Sequence, residues 1–217
     1  MRKRKNNRKI KKDNIFILIL VIVLVALIIS LVFMAKGILK KEKGNVQETQ
    51  IVDKMDDYGY YLTDHNTKYY NELYEELKQT LAENPVDEEK YAKLVAQLFT
   101  VDFYDLNSKL SKSDVGGTQF IAGDYKDVFI KTANDINGIY YYVKSDLYGE
   151  RKQELPVVVN AEVVSLKNTS FKYDKINDDK AYTIDINLTY EKDLGYQKSV
   201  SLTIVHNDKK LEIVEVK

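Results

Sequence analysis

The chain of 217 residues contains no cysteine and no tryptophan, and only two prolines and two histidines. Without Cys no disulfide can staple an exported domain and no thiol can carry a lipid, so a folded region must rest on its core alone. His65 and His206 stand far apart, with no H-x-x-x-H or H-x-H spacing. That argues against zinc, which usually takes three or more protein ligands. His65, in TDHNT, reads as a loop or cap residue, and His206 as the end of a strand. Excess charge of either sign is missing too, with 33 basic residues against 33 acidic ones. Eight of the basic residues fall in the first twelve positions, so the remainder is acidic on balance and unsuited to nucleic acid. The stretch KSDVGGTQF lacks the G-x-x-x-x-G-K-[ST] spacing of a phosphate loop, leaving Gly116 and Gly117 as a backbone requirement. DKINDDK brings Asp174, Asn177, Asp178 and Asp179 together without the calcium-loop pattern, and a solvated turn between strands explains it. Asp56, Asp57 and Asp64 read the same way. No residue is singled out as catalytic, metal-ligating or cofactor-binding; no cofactor is expected, and the chain is not expected to be an enzyme.

What is present begins with an uncharged run, Ile15 to Ala35, of 21 residues. As a helix it would extend about 30 Å, the thickness of a bilayer's hydrocarbon core. The run is too long for the apolar region of a cleavable signal peptide, and Phe33-Met34-Ala35-Lys36 lacks the small-x-small cleavage pattern. It also lacks the polar face of a helix in a soluble core. It therefore reads as a signal anchor. Eight Lys and Arg precede it and four Lys follow within eight residues, which places the N-terminus in the cytoplasm. The expected layout is a basic cytoplasmic tail (1–14), a transmembrane helix (15–35), a polar extracytoplasmic stalk (36–66) and an extracytoplasmic domain (67–217). The usage, heavy in Lys, Asn, Ile, Asp and Tyr, is similar to that of low-GC Gram-positive bacteria.

Within the domain, Tyr70, Leu73, Tyr74, Leu77 and Leu81 recur at helical spacing. ENPVDEEK then offers Asn84 as a cap, Pro85 as a first helical residue and three acids for the positive end of a helix, followed by Tyr91, Leu94, Val95, Leu98 and Phe99. Phe103, Leu106 and Leu110 suggest a further turn or two before Gly116. A third helix is expected over 124–133, with Tyr125, Val128 and Phe129 inward. IYYYVKSDL fits helix or strand; we read it as helix. After Pro156 the period falls to 2. PVVVNAEVVSL reads as a strand with a bulge near Val163-Val164, and AYTIDINLTY, SVSLTIV and LEIVEVK as three more in an antiparallel meander. The fold class is α+β: about three helices on a C-terminal antiparallel sheet of about four strands.

An anchor followed by three helices and a terminal antiparallel sheet resembles the nuclear transport factor two-like, or cystatin-like, fold. The whole layout is similar to bitopic scaffold subunits of type IV secretion and Gram-positive conjugation systems. The resemblance spans about 69–217 and rests on element order, with no motif onto which functional residues could be carried. It implies a binding or assembly part without catalysis, whose partners are the bilayer and other envelope proteins or a second copy. The seventeen Tyr cluster in YGYY, KYY and IYYY. Tyr suits an interface or the mouth of a pocket, for which Tyr140, Tyr141 and Tyr142 are the candidates, but packing in a chain without Trp is the plainer reading. The rival function is a small-ligand receptor or enzyme using a cavity between helices and sheet. A third, binding to wall polymer, finds neither a repeat nor an aromatic groove motif.

Overall fold

The computed structural model describes residues 49–110, 114–133 and 154–217. The chain divides into two units, Met1–Gln47 and Glu48–Lys217, and all described residues belong to the second. That unit is α+β, with three helices, a four-stranded antiparallel sheet and a separate two-stranded hairpin.

The hairpin is β1 (Ile51–Met55) and β2 (Tyr60–Thr63). It corrects the expected stalk: Tyr60 and Leu62 lie in the core, so the folded unit starts well before residue 67. The sequence hid this because the apolar positions of so short a hairpin are too few to show a period. Helix α1 (Lys68–Ala82) is capped by Thr67, whose hydroxyl accepts from the Tyr70 N–H, and buries Tyr70, Leu73, Tyr74 and Leu77 as one stripe. Helix α2 (Glu88–Tyr104) starts later than Asn84 and Pro85 suggested. Its cap is Asp87, which accepts from the Lys90 N–H at 3.0 Å, while the Asn84–Pro85 peptide is cis. It buries Tyr91, Ala92, Leu94, Val95, Ala96, Leu98, Phe99, Thr100 and Val101, nearly its whole circumference, because it packs against α1 and contacts all four strands of the sheet. It also ends at Tyr104, without the further turns expected from Leu106 and Leu110; Leu110 is exposed. A 3-10 turn (Gly123–Tyr125) leads into α3, helical over 126–133, where Val128 faces solvent rather than the core.

The sheet runs β3-β4-β5-β6 in chain order: β3 (Val158–Tyr173), β4 (Ile176–Tyr190), β5 (Ser199–Asn207) and β6 (Lys210–Val216). The bulge expected near Val163 is there, one of three register shifts that bend β3. Ile184, Ile186, Leu202, Ile204, Leu211 and Ile213 build the sheet's side of the core against α2. The β3–β4 turn is tighter than DKINDDK suggested: Asp174 adopts φ 49, and Asn177, Asp178 and Asp179 belong to β4. On the sheet, the Asp185 carboxylate of β4 accepts from Ser165 of β3 and Ser201 of β5, tying three strands together.

Candidate functional site

Tyr140, Tyr141 and Tyr142 lie outside the described residues, as do IYYYVKSDL and the run 15–35. Among the described residues no helix is long and apolar enough to cross a membrane. The residues that the fold does bring together were mostly not conspicuous in the sequence, and they fall into three groups.

The first is at His206. Its ring sits between two carboxylates, with Nδ1 2.8 Å from Asp178 Oδ2 and Nε2 3.0 Å from Glu88 Oε1. Asp178 Oδ2 also accepts the backbone N–H of His206 at 2.8 Å. Burial alone would raise the Asp178 carboxyl, but these His206 donors hold it below the usual carboxylate range. The Tyr182 ring lies 5.7 Å from the imidazole, and burial together with the charge of Glu88 raises its hydroxyl above the usual phenol value. Because the two ring nitrogens face opposite carboxylates, the three side chains cannot converge on one ion. Among the described residues no group of three or more His, Cys, Asp or Glu has metal-binding geometry. His65, by contrast, stays in its loop, 3.4 Å from its neighbour Asp64.

The second group is a ring of hydrogen bonds at the outer edge of β6. Tyr60 Oη donates to the Leu211 carbonyl at 2.8 Å, the Leu211 N–H donates to Tyr91 Oη at 2.9 Å, and the two phenols meet at 2.7 Å. With those roles fixed, the Tyr91 O–H points at the Tyr60 oxygen and every group is satisfied. Burial pushes the Tyr91 hydroxyl up to about 12 and Tyr60 well above its usual value, so both keep their protons. Two residues further along, Ile213 exchanges backbone bonds with Phe120 and Ala122. The β6 edge is thereby closed by the chain itself.

The third is the Gly116-Gly117 corner. Asp102 of α2 accepts from the Gly117 N–H and from the buried Lys109 ammonium, each at 2.6 Å. A Cβ on Gly116 would meet the Asp102 carbonyl oxygen at 2.0 Å, and one on Gly117, at φ +75, the Phe99 ring at 2.5 Å. These glycines are required by close approach, as the sequence indicated.

The described residues also form surface clefts, two of which differ in character. One of about 200 Å³ is lined by Asn107, Leu155, Val157, Glu191, Lys192 and Leu194. The other, about 590 Å³, lies along the acidic outer face of α1 at Glu72, Glu75 and Glu76. At the opposite sheet edge, β3, the backbone of Ala161 is covered by Tyr69 Oη and the Gln97 amide. Val159, Val164 and Tyr173 of that strand are exposed. No protein-family model matches the chain, and neither a curated protein nor a solved structure matches it.

Proposed function

We propose that the chain is a single-pass membrane protein whose extracytoplasmic domain serves as an interaction or assembly module of a bacterial cell-envelope complex. A nuclear transport factor two-like scaffold of a transfer or secretion apparatus is the form of that role suggested by the element order. The observation that carries the reading is the uncharged run Ile15 to Ala35 with eight basic residues before it and four after it. A folded α+β unit held beside a membrane by such an anchor presents surfaces to neighbours in the envelope.

The edge of β3 supports the interaction half of the proposal. Its exposed Val159, Val164 and Tyr173 offer apolar contact on an edge strand that, among the described residues, pairs with β4 on one side and with no strand on the other. In this reading the Tyr side chains of the helices serve packing first, and the contacts to partners fall on β3.

The test has two arms. Protease shaving of intact cells should digest residues after Lys43 while sparing the N-terminal tail; the reverse pattern would refute the orientation. A photo-crosslinking residue at Val164 or Tyr173, installed in the full-length protein in living cells, should give discrete adducts with envelope proteins or with a second copy. Adducts no more frequent than from a control position such as Glu83, in the exposed α1–α2 connection, would refute the assembly role.

A further inference from the structure

We propose that Glu88, His206 and Asp178 form a proton-operated clasp, which fastens the first turn of α2 to the β4–β5 end of the sheet while the imidazole is charged and releases α2 when it is neutral. The argument starts from hydrogen positions. Asp178 Oδ2 accepts the His206 backbone N–H and lies 2.8 Å from Nδ1, so Nδ1 is the donor of that second contact. The contact between Nε2 and Glu88 Oε1, at 3.0 Å, then needs a proton of its own. An imidazole ordinarily holds a proton to about pH 6.5 and a glutamate only to about 4.3, so the ring carries it. With both nitrogens protonated, the ring donates to two carboxylates from opposite sides.

Removing one proton breaks this symmetry in a defined direction. Asp178 is the more buried partner, with its side chain 11% exposed against 56% for Glu88, and it alone is also held by the His206 backbone. The neutral ring therefore keeps Nδ1–H on Asp178 and turns the Nε2 lone pair toward the Glu88 carboxylate, which repels it. The arm to α2 opens and the arm to β4 stays.

The groups facing the ring are Glu88 from α2 and Asp178 and Tyr182 from β4. Glu89 of α2 acts on Tyr182 but makes no contact with the ring, and Glu212 of β6 is engaged by Asn207 and Lys210. The side chains facing the imidazole are thus two carboxylates and a phenol, with no cation among them. Asp178, held below the usual carboxylate range, stays ionised through mildly acidic pH. The clasp is accordingly closed on the acidic side of the imidazole titration and open above it, a sense that an extracytoplasmic domain could report directly.

The test uses the full-length protein in detergent, with 15N-labelled histidine, titrated from about pH 5 to 9 across the ordinary imidazole range. His65→Gln assigns the two rings. Both His206 nitrogens should be protonated at the acidic end, and Nε2 should lose its proton while Nδ1 keeps it. Amide exchange at 88–90, corrected for its intrinsic pH dependence, should quicken roughly fivefold over the same titration, the worth of one lost hydrogen bond. Glu88→Gln should abolish that change while leaving Nδ1–H in place. A neutral ring protonated at Nε2, or exchange at 88–90 that ignores the titration, would overturn the proposal. A thermal midpoint offers a second readout: wild type should exceed Glu88→Gln by about 3 °C at the acidic end and match it at the alkaline end. A constant gap would also overturn it.

Discussion

The hydrogen-bonded ring formed by Tyr60, Tyr91 and Leu211 allows a prediction whose size follows from counting bonds. Tyr60→Phe removes the bond to the Leu211 carbonyl and the acceptor of the Tyr91 O–H. Tyr91→Phe removes that same phenol–phenol bond and the acceptor of the Leu211 N–H. Each single change thus breaks two of the three bonds, one of them shared. At about 1 kcal/mol net per bond, each should cost about 2 kcal/mol and the double variant about 3, leaving a coupling of about 1 kcal/mol. In a unit spanning Glu48–Lys217, this lowers the midpoint of each single variant by about 4–8 °C. Urea unfolding of the full-length protein in detergent, followed by tyrosine emission that no Trp overlays, measures all three variants. Strict additivity would refute the closed ring. A neutral Tyr60→Phe beside a costly Tyr91→Phe would refute the docking of the β1–β2 hairpin, and with it the placement of residues 51–63 inside the folded unit.

Three further expectations concern the stability of the same unit, the first two read by urea unfolding. Gly117→Ala combines a positive φ with a Cβ 2.5 Å from the Phe99 ring and should cost about 2–4 kcal/mol, whereas Gly59→Ala, at φ +73 with nothing within 4 Å, should cost about 1. Asp102→Ala takes a carboxylate from the buried Lys109 ammonium and an acceptor from the Gly117 N–H, and should cost about 3 kcal/mol or more. The hydroxyls of Ser201 and Ser165 hold the Asp185 carboxyl below its usual range, so its stabilisation is present above the unfolded value near 3.9 and fades as pH falls through the lower folded value. Thermal midpoints taken from about pH 7 down to 2.5 should therefore fall less steeply for Asp185→Asn than for wild type.

The sequence was legible where one face of an element is buried and the other is wet. That condition holds for α1 and for the stretch of β4 from Tyr182 to Leu188, where the periodic apolar positions Tyr70, Leu73, Tyr74, Leu77, Tyr182, Ile184, Ile186 and Leu188 are the buried ones. It fails for α2, buried nearly all round, and there the period predicted the inward residues but not where the helix stops. It fails again for β1 and β2, five and four residues long, where Tyr60 of β2 is buried by contacts with Tyr91 and Leu211 far along the chain. The clasp at His206 was invisible for the same reason, since Glu88 lies 118 positions away and Asp178 was hidden inside an acidic stretch that read as a turn. One signal could have been noticed: Asp178 falls on the other parity from Asp179 in a strand, so the two cannot share a face.

The surplus of Tyr has a physical explanation that bears on what the domain can bind. A sheet whose outer strands meet helices must satisfy backbone groups inside an otherwise apolar contact, and Phe or Leu cannot do that. A phenol can, because its ring packs in the core while its hydroxyl reaches the strand. Tyr60 and Tyr91 do this at Leu211 of β6, Tyr69 does it at Ala161 of β3, and Tyr70 takes the Gln119 amide that itself pairs with the backbone of Tyr61. These tyrosines are thus consumed by the fold, and partners that need a strand edge find β6 closed at Leu211 and Ile213. Beyond Ala161 the edge of β3 carries Lys167, Lys172 and two of its three register shifts, features that discourage pairing with an arbitrary strand. An assembly role on this scaffold accordingly favours recognition through side chains such as Val164 and Tyr173 over extension of the sheet.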